Sequence, residues 1–406
     1  MKTTDGTNRG LAVTAASRES GGQSGQLPLV AMSFVHFLND GSANYLPGIL
    51  PAVLIMLHEP VSMAGVIMAA LLIGQALQPL MGRLADWLGG NSLIAVGLAG
   101  SAVGGGLLGF AHSLPLLIGD LLLISIGNAL FHPQALAAVR SQLRQRQALG
   151  LAFFLIGGEL GRGVWPVAAG WIVVHAGISS LWLTSLPAVV MLPVILRLAP
   201  HLPAKRTGGE RIDWQDHRGP FVGLVGYAGL RAFATYGLVT FIPLLWHMRG
   251  GSLIGGASII TTLISVGVIG NLAGGHLVDR LGRRPVVLLS SVAVIVLVPV
   301  LTLVSGAFVW IVAGLLGIAL FSSSSVTVLI GQDIFSENRS LGSGIALGLG
   351  NGVGALLVFI VGFWLSAGTI QGMFWLLAGS AALSIAFALS IPARYLTRVA
   401  GGRDSG

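Results

Sequence analysis

Cysteine is absent from the 406-residue chain, which excludes disulfides and thiolate-held metal sites and says nothing about compartment. Charge is scarce as well. Only 9% of the residues are Asp, Glu, Lys or Arg, against 54% hydrophobic, and no soluble domain needs that much apolar surface. No Gly-x-x-x-x-Gly-Lys-Ser/Thr loop occurs, so ATP hydrolysis is not the energy source. A His-Glu-x-x-His motif and clustered carboxylate pairs are missing too, and no base stands beside the serine run 322–325. The chain therefore reads as no enzyme, with no cofactor and no bound metal.

What is present is a series of apolar runs, each about 20 residues long, the length that crosses a bilayer core as a helix. Twelve are read at 28–57, 62–81, 92–111, 114–136, 148–175, 178–198, 220–247, 253–278, 285–305, 307–330, 341–366 and 371–393. The fold class is an all-α integral membrane protein. Residues 1–27 are polar, rich in Gly and Ser, and read as a disordered cytoplasmic tail. The formal charge of +8 could suggest nucleic acid, but its distribution argues otherwise. With both termini inside, 19 of the 22 basic residues fall on the cytoplasmic side. Arg249 alone lies outside, and Arg162 and Arg231 lie within spans. That asymmetry is the positive-inside rule, so the partner is a lipid bilayer and not nucleic acid.

The chain repeats itself. Gly82-Arg-Leu-Ala-Asp86-Trp-Leu-Gly89 returns as Gly275-His-Leu-Val-Asp279-Arg-Leu-Gly282 at an offset of 193. Leu149-Gly150 and Gly158 return as Leu341-Gly342 and Gly350 at 192, and Asp40 and Tyr45 pair with Arg231 and Tyr236 at 191. Three echoes at nearly one spacing indicate a duplicated six-helix unit. The expected organisation is two six-helix bundles, 28–198 and 220–394, joined by a charged cytoplasmic loop at 199–219 and followed by a cytoplasmic tail at 395–406. Halves related in this way hold their site between them at mid-depth.

The paired Gly-x-Leu-x-Asp-x-x-Gly segments resemble the loop motif of the major facilitator superfamily, and helix count, loop lengths and repeat spacing extend the resemblance over the whole chain. The C-terminal copy is full, ending Gly282-Arg283-Arg284-Pro285; the N-terminal copy ends Gly89-Gly90-Asn91, without the usual basic residues. Ser33-Phe-Val-His36-Phe-Leu-Asn39-Asp40, Phe131-His132-Pro133-Gln134 and Gly157-Gly158 are similar to the fosmidomycin-resistance branch, whose members are drug exporters of the bacterial inner membrane. Gly161-x-x-x-Trp165-Pro166 is similar to the antiporter motif of exporters, with Trp165 in place of a glycine. The resemblance implies two pseudo-symmetric bundles, alternating access and a small-molecule substrate.

Asp40 and Arg231 lie about 12 residues from the cytoplasmic ends of the first and seventh spans, roughly 18 Å deep. Charges at that depth belong in a protein interior or a watery cavity. Burial penalises an ionised carboxylate, so Asp40 is a candidate proton carrier, against a permanently paired structural role. Arg231 is either an anion hook for substrate or the partner of Asp40 across the cavity. Glu159 and Arg162, three residues apart, are a self-neutralising pair or a second proton and anion site. His36 lies one turn before Asp40 and either relays protons or packs, and Asn39 adjoins the same site. Asp120 is assigned to an outer vestibule or to Arg162. Asn128 and His132 read as structural.

Asp86 and Asp279, with Arg83 and Arg283, are the candidate cytoplasmic gate. The expected function is proton-coupled export of a small drug-like or anionic compound by a monomer. The alternatives are proton-coupled import of an organic solute and a non-transporting receptor or scaffold.

Overall fold

A computed structural model describes residues 26–142, 147–204 and 214–397. The tail before residue 26, part of the expected linker and the chain after 397 lie outside the described residues. Among those described, the architecture is helical, with a single isolated antiparallel bridge between Gly90 and Leu202.

Ten helices are long and apolar enough to cross a membrane. They include α3 (Met63–Leu88), α4 (Ser92–Leu107), α5 (Leu114–Gln142), α8 (Trp214–Met248), α9 (Leu253–Leu281), α10 (Arg283–Leu303) and α15 (Ile370–Ser390). A 3-10 segment, Ile178–Ser185, leads into α7 (Leu186–Leu198) as another. The expected first and fifth spans correspond to α1 (Gln26–Asn44) with α2 (Leu46–Leu57), and to α6 (Gln147–Ala176). With them the count agrees with the twelve read from the sequence.

Further spans are interrupted, the first of them where the sequence demands it. The first breaks at Tyr45, because Pro47 in the opening turn of α2 offers no N–H to the preceding turn. Asn44 folds back there, its Nδ2 donating to the Asp40 carbonyl at 2.8 Å. The tenth divides at Ser323 into α11 (Phe308–Ser322) and α12 (Ser324–Ile334). The eleventh runs from α13 (Arg339–Gly344) through a π turn, Ile345–Leu349, into α14 (Gly350–Gly362). Gly348 of that turn packs on Pro79 of α3, where a side chain on the glycine would crowd the proline ring at 3.3 Å.

The buried core is divided by depth. One cluster mixes the two halves: Leu46, Ile49 and Val53 of α2 share it with Phe241 and Leu244 of α8 and Val358 of α14, all on the face opposite the termini. Toward the termini the core separates. One cluster there draws only on residues 32–199, the other only on 224–396. Apolar packing therefore joins the halves at the far face and leaves each half to itself at the face carrying the termini.

At that face each half ties its loop to the chain leaving its last span. Gly90 N donates to Leu202 O at 2.7 Å and Leu202 N to Gly90 O at 3.2 Å, while Asn91 Nδ2 donates to Ala199 O at 3.0 Å. In the other half Arg283 Nη1 donates to Asp333 at 2.7 Å and to the Tyr395 carbonyl at 2.9 Å. Positions 90 and 283, and 202 and 395, are both 193 apart. The repeat thus uses backbone pairing where its motif has lost the basic residues, and a guanidinium where it has kept them.

Candidate functional site

Asp40 lies on α1 about three-quarters of the way to the break at Tyr45, and its side chain is 2% exposed. α6 lies directly against this stretch because its small residues let it. A Cβ on Gly157 would strike the Ser33 carbonyl, one on Gly158 the His36 ring, and one on Gly161 the Phe37 carbonyl. Gly158 is thereby the floor on which the His36 imidazole rests, stacked on Phe154 with ring centroids 4.2 Å apart. His36 Nδ1 lies 2.8 Å from the Phe154 carbonyl.

Four groups converge on the Asp40 carboxylate. His36 Nε2 stands 3.4 Å from Oδ2, His132 Nε2 3.2 Å from Oδ1, and Arg162 Nε 3.3 Å from Oδ2. Asn39 Nδ2 donates to Oδ1 at 3.1 Å and to Asn128 Oδ1 at 2.7 Å. Arg162 is in ion-pair range of Asp40 through a nitrogen that is not aligned for a hydrogen bond there, while its Nη2 donates to Glu159 at 2.8 Å. One guanidinium therefore links two carboxylates at mid-span, and its side chain is 35% exposed.

The tautomers of the two histidines are fixed by their other nitrogens. His36 Nδ1 faces Phe154 O and His132 Nδ1 faces Asn128 O at 2.9 Å; a carbonyl only accepts, so each Nδ1 carries the hydrogen. Both Nε2 atoms then present lone pairs to each other, 3.4 Å apart, and to the carboxylate. Such a cluster of acceptors is stable when it holds a cation. A metal ion is one candidate, since His36, Asp40 and His132 offer ligand atoms within 4.8 Å of one another. Arg162 already brings positive charge to the same carboxylate, so a proton on a ring nitrogen fits with less rearrangement than a divalent ion.

The remaining sequence candidates are distributed around this centre. Glu159 and Arg162 pair as their spacing suggested. Arg231 does not reach Asp40: its Nη1 donates to Ser324 Oγ at 3.0 Å, and no carboxylate lies in ion-pair range of it among the described residues. With the far face packed, Asp40 turns into its own half toward α5 and α6, and Arg231 turns toward the hydroxyls at the break in the tenth span. Asp120 sits on α5 near Tyr45 and forms no ion pair with Arg162. Arg83, Asp86 and Asp279 are exposed at the face of the termini, and Arg283, buried, is engaged by Asp333 instead of Asp279.

His132 and Asn128, read from the sequence as structural, stand at the Asp40 carboxylate, His132 directly and Asn128 through Asn39. Their signal was available: they stand one turn apart on α5, as His36 and Asp40 do on α1. Pro133 does not end the helix, which continues to Gln142. Trp165 is a further neighbour, packed over Gly41 and edge-on to Phe37 at 4.9 Å, with Nε1 unpartnered. Buried polar atoms without partners cluster at this depth, among them Glu159 Oε2, Arg231 Nε, Thr261 Oγ1 and Ser265 Oγ.

Residues 32–330 match the profile of the Major Facilitator Superfamily. The chain is 25% identical to an uncharacterized MFS-type transporter, YfnC, of Bacillus subtilis, over 84% of this chain and 86% of that one. It is 24% identical to the fosmidomycin resistance protein of Escherichia coli, over 82% and 85%. The multidrug efflux pump LfrA of Mycolicibacterium smegmatis is 26% identical over 67% of this chain and 48% of its own. Among solved structures, the nucleoside transporter NupG superposes with a TM-score of 0.74 at 18% identity, covering 91% of this chain and all of that one. A bacterial homologue of the lysosomal transporter Spinster, inward-facing and unoccupied, gives 0.67 at 15% identity over 92% and 96%.

Proposed function

Because the chain belongs to the Major Facilitator Superfamily, and is a multi-pass membrane transporter of small molecules and not an enzyme, we propose that it is a proton-driven exporter of a small drug-like compound. The observation that carries this reading is the Asp40 cluster, in which two histidines of fixed tautomer and one shared arginine meet a buried carboxylate. The efflux activities in the names of the LfrA and fosmidomycin-resistance relatives agree with export.

In the proposed cycle the termini lie in the cytoplasm of a bacterium, and the arrangement described, with its far-face core shared between the halves, is the cytoplasm-open one. Asp40, His36 and His132 hold the proton, and Arg162 reports its presence to Glu159. Protonation weakens the pull of Asp40 on Arg162; loss of the proton restores it. Export requires that substrate and proton exclude each other, so substrate brings hydrogen-bond donors or positive charge to Asp40 and Glu159 and expels the proton. Asp86 and Asp279 form contacts at the cytoplasmic face in the opposite conformation, so Asp279→Asn lowers turnover more than affinity.

A second reading has its own support in Arg162. A substrate whose anionic group draws Arg162 away from Asp40 makes protonation easier, and substrate and proton then travel together as in an importer. The sign of proton exchange separates the two. Resistance profiling of overexpressing cells, with fosmidomycin in the panel, supplies a ligand. In weakly buffered detergent solution, adding it to purified protein releases protons from an exporter and takes them up in an importer. Unchanged release in Asp40→Asn would remove Asp40 from the coupling role and move it to Glu159.

A further inference from the structure

Arg231 stands at the midpoint of α8, at bilayer mid-depth, without a carboxylate partner among the described residues. A guanidinium cannot shed its charge there, and an uncompensated cation at that depth is costly. Its Nε is out of reach of solvent and meets no acceptor. One turn earlier Tyr227, 1% exposed, places its hydroxyl beside Ser290, Ser291 and Ser323. Arg231 borders a cavity of about 10 Å³ whose walls include Ser290, Ser291, Ser384, Leu320 and Ala381. No acidic residue contributes to its wall.

We propose that Arg231 and this hydroxyl-lined cavity hold a small inorganic anion, a halide such as chloride, inside the C-terminal half. Size selects the class. The space is that of about one water molecule, too small for a carboxylate or phosphonate, so the substrate's own anionic group does not enter it in this conformation. Charge selects within the class: water would satisfy the Arg231 Nε–H and leave the cation uncompensated, whereas a monatomic anion does both. The donors are in place. The Arg231 Nε–H is free, and Ser291, 3.1 Å from Ser384 Oγ, has a hydroxyl hydrogen that can turn toward the cavity, while Ser384 spends its own on the Ala381 carbonyl at 2.7 Å. Apolar walls at Leu320 and Ala381 suit a weakly hydrated halide better than a hydroxide or phosphate. The anion neutralises the C-terminal half locally, so that the charge sensed at Asp40 is set by the proton, Glu159 and Arg162.

The test uses full-length protein in detergent, with chloride or bromide exchanged for gluconate at constant ionic strength. Thermal unfolding of the wild type shifts upward with either halide and saturates, and Arg231→Gln loses at least about tenfold in apparent halide affinity. Crystals of the wild type grown in bromide show an anomalous peak between Arg231 and Ser384, a result that does not depend on any variant folding. Equal stability in chloride and gluconate, a halide shift that persists in Arg231→Gln, or a water without anomalous signal in the cavity would each overturn the proposal.

Discussion

The Nε2 atoms of His36 and His132 face each other at 3.4 Å across the edge of the Asp40 carboxylate, while each ring spends its Nδ1 hydrogen on a backbone carbonyl. An acceptor triad of this kind holds a proton that belongs to the group and not to one residue. Replacing His132 by Gln keeps a side chain able to donate to Asp40 and removes a group that titrates. The pH dependence of transport in vesicles should flatten in His132→Gln, with pH-independent exchange retained. A profile that overlays the wild type would exclude His132 from the proton site.

Legibility in the sequence followed the strength of the physical signal. Hydropathy and the repeat offsets disclosed the helical class and the relation between the halves, because these are properties summed over many residues. Asp40, Glu159, Arg162 and His36 could be singled out because charge at mid-span is expensive wherever it occurs. The partners of Asp40 on other helices could not. Whether Asp40 turns across the cavity to Arg231 or sideways to His132 depends on how α1 is rotated against α5 and α6. That rotation is set by the glycine contacts at 157, 158 and 161, which act at distances no periodicity encodes. The place of His132 beside Asp40 depends on the same rotation.

Sidedness is checked by cysteine labelling, which has no background because the protein contains no cysteine. Ser113 is exposed in the loop before α5, on the face opposite the termini, and Ser336 is exposed at the face of the termini. An impermeant maleimide added to intact cells should modify Ser113→Cys and spare Ser336→Cys until the membrane is opened. The reverse pattern would invert the orientation.

Arg283 and Asn91 clasp equivalent stretches of chain by different means, and the difference is measurable. A charge-assisted bond is worth roughly 1.5–3 kcal/mol and a neutral one about 1 kcal/mol. Arg283→Met, which gives up a 2.7 Å bond to Asp333 and a 2.9 Å bond to the Tyr395 carbonyl, should lower the unfolding temperature in detergent. Asn91→Ala should lower it less, since the backbone bridge between Gly90 and Leu202 survives that change. Equal effects would mean that the guanidinium adds nothing to the C-terminal clasp.

Arg162 is the residue on which stability and coupling meet. It stands 2.8 Å from Glu159 and 3.3 Å from Asp40, so removing it leaves two carboxylates facing each other with only the histidines to neutralise them. Breaking a buried pair by deleting one partner costs about 3–5 kcal/mol, less here because the Arg162 side chain is 35% exposed. Arg162→Gln should therefore be strongly destabilised, and adding Glu159→Gln should recover much of the loss by taking away the second unpaired charge. Transport should not recover, because the link between Asp40 and Glu159 is gone in both variants. The measurement is a double-mutant cycle on unfolding temperature in detergent together with pH-gradient-driven transport in vesicles. Additive destabilisation would show that Arg162 and Glu159 are not coupled, and restored transport in the double variant would show that the bridge plays no part in coupling.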